Sequence, residues 1–381
     1  MSCPLETGRF VFPAEWHPHI ATILGFPSKA STCDTLYEAT CNEIIDLAAV
    51  ISEFEPVRLH ARQEDIPAAQ ALIEKKVPDP SQVSIVPVPI NHCWVRDTGP
   101  VYVHDATGQL DPKQRLAINF EFNEWGNKNG WTGADGGDDV QYSTPSMAEA
   151  ILEENRNFAR HVIAADVSPS PVRPVKSRIC SEGGGFVVDG EGTLIVSESY
   201  MLCEERNPGQ SRDQIEGELK RLLGVEKVIW CPGRKGLDIT DAHLDGEVRF
   251  VRPGVVVWSR HHPEGPEGWL SMSNEILEIL KRETDAKGRP LEIHVVDEPG
   301  IKDIPGVNDD DEFVAGYVNF YFCNGGLIIP KFGAEEYDRR AFETLQALVP
   351  DRKVRQVHLN AIPLTGGVIH CVTQQVPAPK V

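Results

Sequence analysis

The sequence predicts an α/β repeat protein, with five ββαβ modules set around an axis and the two chain ends closing the ring. Three observations predict it. A unit of two short strands, a turn, an amphipathic helix and a third strand recurs every ~60 to 80 residues. Turn-forming dipeptides, Asp189–Gly190, Pro253–Gly254 and Asn324–Gly325, separate the paired strands of the later units. The first unit lacks its second strand locally, and the β-rich tail Cys371–Val376 can supply it. The modules share this pattern without sharing sequence.

The first module opens at HPHIATILGF (17–26), followed by loop from Pro27 to Cys33, a helix over Leu36–Phe54 and a strand over Val57–Ala61. The second has VYVHDATGQL (101–110) and LAINFEF (116–122), a Gly-rich excursion (126–139) and a helix over Ser146–Ala159. Its SPSPVRP stretch (168–174) reads as a Pro-rich connector. The third is the clearest: GFVVDGEGTLIVSES (185–199) is a hairpin, and Ser211–Leu223 places Ile215, Leu219, Leu222 and Leu223 on one helical face. The strand Lys227–Trp230 completes it. The fourth has VRFVRPGVVVWSR (248–260), a helix over Ser273–Arg282 from the spacing of Ile276, Leu277 and Leu280, and a strand over Glu292–Val296. The fifth has YVNFYFCNGGLIIPKF (317–332), a helix over Glu335–Leu348 and a strand over Lys353–Val357. Nothing in the connectors demands a boundary, so residues 1–381 are read as a single domain.

Composition narrows the function classes. At 41% hydrophobic and 25% charged the chain has the make-up of an ordinary globular protein. A net charge of −20 argues against nucleic-acid or anionic-membrane partners and is compatible with a cationic substrate. The nine cysteines (3, 33, 41, 93, 180, 203, 231, 323 and 371) include no C-x-x-C pair and read as reduced thiols. MSCPLETGRF is not patterned as a signal peptide, and no apolar run approaches the ~20 residues of a membrane span. These features lead to the expectation of a cytoplasmic protein; a homo-oligomer is compatible with them.

The polar clusters fall at equivalent places in the modules. Asp97, in NHCWVRDTGP, lies just before the first strand of the second module, and Glu182, in CSEGGG, just before that of the third. His243 and Asp245, in DITDAHLDGEVRF, precede the fourth, and Cys371, in IPLTGGVIHCVTQQ, precedes the closing strand. Equivalent positions around one axis converge on it, giving one site with Cys, His and three carboxylates. The glycine pair Gly366–Gly367 lets backbone or ligand approach the cysteine closely.

Each residue also has a plainer reading. Asp97 before Thr98–Gly99–Pro100 suits a turn, Trp94 suits a core, and Arg96 suits a structural ion pair. Glu182 could sit on a solvated loop, and Cys371 could be a small buried hydrophobe. His243 and Asp245 alternate as on one face of a strand and could form half a metal site, but no second His or Cys pair completes it. Asp309–Asp310–Asp311 lacks EF-hand spacing, and Gly136–Gly137–Asp138 and Gly183–Gly184–Gly185 match no phosphate-loop frame.

Taken together, WVRDTGP, EGGGFVVDGEGTL, DITDAHLDGEVRFVRPG, YVNFYFCNGG and GGVIHCVTQQ resemble the agmatine deiminase branch of the guanidine-modifying enzymes, which is grouped with the bacterial-type peptidylarginine deiminases. The resemblance runs from the WHPH region near residue 16 to the C-terminus. It implies the five-bladed α/β propeller called the pentein fold, and hydrolytic deimination of a guanidinium to a ureido group. It further implies Cys371 as nucleophile, His243 as general acid/base, Asp97 and Asp245 as holders of the guanidinium, and Glu182 and Trp94 as shapers of the site. No metal or cofactor is implied. Ala242 stands where the family usually has glycine, Val368 where it has asparagine, and Phe26–Lys29 departs from a W-P-x-R pattern. None of these is a reacting group; they bear on the substrate's tail.

The chemistry suits such a set. A guanidinium is planar and always protonated, so water barely attacks it. Two carboxylates in fork geometry can fix its plane, and a thiolate is the best side-chain nucleophile for its carbon. The partner is then a small cationic guanidino compound, agmatine first. Deimination of arginine or peptidyl-arginine and amidino transfer are rivals on the same fold. A non-enzymatic binding protein would not need Cys, His and acids at module entries, and a papain-like protease lacks the repeat.

Overall fold

The computed structural model describes residues 4–32, 34–128, 145–308 and 311–379. Cys3, Cys33, Gly136–Gly137–Asp138, most of the Gly-rich excursion, and Asp309 and Asp310 lie outside the described residues.

Among the described residues five separate sheets form, and each is built the same way. Its central strand pairs antiparallel on one side and parallel on the other. The central strands are His19–Gly25, Arg115–Asn119, Thr193–Ser197, Val255–Arg260 and Gly326–Lys331. A parallel partner needs a long crossover, which is why a helix precedes each one: Val57–Ala61, Val172–Lys176, Lys227–Cys231, Glu292–Asp297 and Lys353–His358. The antiparallel partner comes from the local hairpin in four modules, and in the first from the chain's far end. Thr373–Pro377 lies beside His19–Gly25, with Thr373 opposite Leu24 and Val376 opposite Ala21. The ring closes as the sequence predicts, giving the five-bladed α/β propeller.

The helices follow their apolar spacing. Arg212–Leu223 starts at a capping box formed by Ser211 and Gln214 and stops at Gly224, whose φ of 70° is left-handed. Its Ile215, Leu219, Leu222 and Leu223 are all buried, and each contributes ~1.5–3 kcal/mol by leaving water. Glu335–Leu348 has the expected bounds. The fourth-module helix, Glu267–Leu280, starts six residues before Ser273, because Pro266 serves as its N-cap and the Pro/Gly-rich approach is recruited into the first turn.

Two parts of the sequence reading change. Val172–Lys176 is a strand and not a connector. It is an edge strand, where Pro174 is tolerated, and Leu5 bridges to it by accepting from Lys176 N and donating to Pro174 O. The first module also gains a helix, Ile66–Lys76, and a fourth strand, Val83–Pro87, parallel to Val57–Ala61. Only Ala69 and Ile73 of that helix are buried, too thin a stripe to register as an amphipathic period. Among the described residues no helix is long and apolar enough to cross a membrane.

Candidate active site

Four chain segments that enter blades from the axis meet there. Trp94 begins a short helix, Val95–Thr98, whose Asp97 N donates to Trp94 O at 3.1 Å. Arg96 N in the same turn donates to Cys371 O at 3.2 Å, tying the second-module entry to the closing one. Glu182 lies immediately before the turn Gly183–Gly185. Gly184 is the point of convergence: a Cβ there would lie 2.6 Å from His243 Nδ1, 2.8 Å from Asp97 Oδ1 and 3.3 Å from Asp245 Oδ2. Only a hydrogen fits.

His243 and Asp245 do not lie on a strand face, as their alternation suggested; the strand begins at Val248. They lie in a loop whose Asp241 and Ala242 have φ of 63° and 77°. Hydrogen bonds hold this left-handed turn: Ala242 N to Asp238 Oδ1 at 3.0 Å, His243 N to Thr240 Oγ1 at 2.9 Å and Ser197 Oγ to Ala242 O at 2.7 Å. A glycine would adopt φ of 77° freely, whereas Ala242 holds it against the Cβ penalty. On the closing segment, a Cβ on Gly367 would lie 2.6 Å from Trp94 Cζ3 and 3.2 Å from Cys371 Sγ, so the indole and the thiol both crowd this glycine.

Each polar group has a defined set of partners. Asp97 accepts from Gly184 N at 3.0 Å and from Trp125 Nε1 at 2.9 Å. His243 lies between carboxylates, with Nε2 3.2 Å from Glu182 Oε2 and Nδ1 3.6 Å from Asp97 Oδ1, and its ring meets Tyr200 edge to face. Arg206 Nε donates to both oxygens of Glu182, at 2.9 and 3.1 Å. Asp245 Oδ2 lies 2.6 Å from His370 Nδ1 and 3.7 Å from Cys371 Sγ. Asn319 Nδ2 lies 3.4 Å from the same sulfur, and Asn319 Oδ1 accepts from His370 N at 2.9 Å.

The acids and His243 are buried, while Cys371 is partly exposed. Electrostatics divides the group. Burial, then Asp245 and Asp97, push the Cys371 thiol well above its ordinary value, so the unliganded cysteine is a neutral thiol. Burial opposes charge on His243, but Asp97, Glu182 and Asp245 outweigh it and push the imidazole up to about 9. Burial raises Asp97, with Glu182 and Asp245 adding to it against the pull of His243. Glu182 and Asp245 go the other way despite burial: Arg206 and His243 lower Glu182, and His370, His243 and Arg249 lower Asp245. Three carboxylates, Asp97, Glu182 and Asp245, thus gather around His243 beside the thiol. Among the described residues no group of three or more His, Cys, Asp or Glu side chains could hold a metal ion.

The structure thus brings Cys371, His243, Glu182, Asp97, Asp245 and Trp94 into one place. Arg96 is turned away from Asp97, its guanidinium reaching Glu15 at 3.2 Å, Gln375 at 2.7 Å and His370 O at 3.2 Å. The sequence reading missed Trp125, Asn319, Arg206 and Glu15. Asn319 stands inside the quoted YVNFYFCNGG, but a single asparagine there reads as turn chemistry. Trp125 left no pattern at all: it follows Glu124 in a backbone where both have positive φ, 51° and 56° respectively, a conformation no propensity announces.

A five-bladed α/β propeller that gathers Cys, His and paired acids at its axis defines the class of pentein proteins. The chain belongs to the family of Porphyromonas-type peptidyl-arginine deiminases, which matches residues 11–377. The agmatine deiminase of Stutzerimonas stutzeri is 34% identical over all of this chain and 98% of its own length. That of Medicago truncatula is 34% identical over 97% of this chain and 96% of its own. The solved structure of the Enterococcus faecalis agmatine deiminase superposes with a TM-score of 0.82 at 25% identity, covering both chains fully. The chain is a hydrolase, from a family that deiminates small guanidino substrates.

Proposed function

We propose that this protein hydrolyses agmatine to N-carbamoylputrescine and ammonia through a covalent thiouronium on Cys371. The observation that carries the proposal is the convergence of Asp97, His243 and Asp245 on Gly184, with Cys371 Sγ beside Asp245. Asp97 and Asp245 take the two sides of the guanidinium. Each close pair is worth ~4 kcal/mol at an effective dielectric near 20 before desolvation is subtracted. The bound cation favours the thiolate, whose proton leaves to solvent, and the thiolate attacks the guanidinium carbon. His243, charged beforehand, protonates the departing nitrogen, which leaves as ammonia. The now neutral imidazole takes a proton from water as that water attacks the thiouronium carbon. Collapse forms the ureido carbonyl, with the hydroxyl proton passing to solvent, and releases the thiolate. Glu182 holds His243 in place and Trp94 closes over the reacting carbon.

Agmatine is favoured over arginine because an α-carboxylate needs a cationic partner, and Arg96, the basic residue next to Asp97, is engaged by Glu15 and Gln375. The test is ammonia release over a panel of guanidino compounds, with agmatine expected to exceed arginine and peptidyl-arginine in kcat/KM. Cys371→Ser should abolish turnover while leaving the thermal transition in place. A substrate-like haloacetamidine should label Cys371 ahead of the other eight cysteines. Wild-type ammonia release by Cys371→Ser ends the nucleophile assignment; equal or better turnover of arginine ends only the substrate assignment.

A further inference from the structure

We infer that Glu15 is a positioning residue for this reaction, acting through His370 to fix the carboxylate of Asp245 against the substrate. The inference rests on the proposed role of Asp245 as one arm of the guanidinium clamp. Both ring nitrogens of His370 are occupied: Nδ1 lies 2.6 Å from Asp245 Oδ2, and Nε2 lies 3.0 Å from Glu15 Oε2. His370 is 2% exposed, so bulk water does not reach either nitrogen. Glu15 in turn is fully engaged. Its Oε1 accepts from Arg249 Nη2 and Phe322 N, both at 2.9 Å, and its Oε2 accepts from Arg96 Nη2 at 3.2 Å.

An acid surrounded by two guanidinium groups and a backbone N–H is an acceptor only. Nε2 of His370 must therefore carry its proton toward Glu15, and this fixes which way the ring faces. Nδ1 lies 2.6 Å from Asp245 Oδ2, a distance at which the two must share a second proton, and that bond pins one oxygen of the carboxylate. Partners of this outer kind orient a working group without touching the substrate. A void of ≈ 20 Å³ lies beside Glu15, Arg96, Arg249 and His370. That is room for about one water.

Glu15 also neutralises Arg96 and Arg249, and a merely structural role must be told apart from positioning. The experiment is a cycle of Glu15→Gln, His370→Asn and the double variant, read as KM and kcat for the best guanidino substrate, with thermal melts alongside. Asparagine can still offer Nδ2 to Asp245 but cannot reach Glu15. Glu15→Gln is expected to lower kcat/KM ~10- to 100-fold, mostly through KM, the range such outer partners reach at metal ligands. Adding it to His370→Asn should then cost nothing more, because the path is already cut. Effects that multiply would overturn the inference, as would a wild-type KM in Glu15→Gln. Should Glu15→Gln fail to fold, His370→Asn is compared with His370→Leu: the asparagine variant should keep the lower KM, and equal values count against the inference. Asp245→Asn separates the two levels of argument. Unchanged KM there removes the clamp reading and this inference with it, whereas raised KM with a multiplicative cycle removes this inference alone.

Discussion

His243 is the residue on which the charge balance turns. Three carboxylates push its imidazole up to about 9 against the pull of burial, so it is cationic at neutral pH, the state needed to protonate leaving ammonia. Activity should therefore fall on the alkaline side as His243 loses its proton near that value. Glu182 contributes through the 3.2 Å contact to Nε2, and replacing it with a neutral amide removes part of the upward push. In Glu182→Gln the alkaline limb of the kcat profile should move to lower pH. A pH–rate series on the two proteins decides it; an unmoved limb, or one shifted upward, would be inconsistent with His243 as the acid. At this scale the sequence was informative wherever a chemically unusual residue stood next to glycines, as Cys371 does beside Gly366–Gly367 and Glu182 beside Gly183–Gly185. It was silent on Trp125 and Arg206, whose roles come from partners far along the chain, Asp97 and Glu182 respectively.

Among the elements, the strands and hairpins were legible because alternation and turn dipeptides are local properties. Val172–Lys176 was not, since a proline in a strand is acceptable only at an edge, and edge position depends on the finished sheet. The fourth blade shows a further feature that only tertiary structure reveals. His261, in a Pro/Gly-rich loop, sits between Glu247 Oε1 and Glu298 Oε2, both at 2.7 Å, and Ser259 Oγ donates to Glu298. Glu247 lies two residues after Asp245, so this clamp anchors the loop that carries a site acid. Burial opposes the charge on His261, but the two glutamates push its pKa up to about 11, above the ~6.5 of an unfolded histidine. A raised pKa stabilises the fold fully below ~6.5, and the contribution is lost as pH climbs toward about 11. His261→Gln should consequently cost more stability at low pH than at high pH. Denaturant unfolding of both proteins near pH 6, 8 and 10 would measure the gap. A gap that widened with pH would mean His261 is not held as a cation.

At the level of the whole molecule, the ring makes a site from residues scattered between Glu15 and Cys371, and closure is what brings the last of them in. Periodicity could announce five modules and the tail's return, but not the lateral contacts between module entries, because those depend on how neighbouring blades abut. The chain's net charge of −20 adds a field over this geometry. A cation approaching the axis meets a buried acid cluster inside a strongly anionic shell, and such a field raises local cation concentration. The effect is long-range and screenable: the Debye length falls from ~30 Å at 0.01 M salt to ~10 Å at 0.1 M. The short contacts of Asp97 and Asp245 with a bound guanidinium lie well inside either length and are screened far less. Raising salt over that range should therefore increase KM several-fold for a dicationic substrate, less for a singly charged guanidine, and leave kcat nearly constant. Steady-state kinetics on the two substrates at matched pH supply the measurement. Equal salt dependence for both would place the attraction in the pocket alone, and a fall in kcat would mean that salt acts on the catalytic groups themselves.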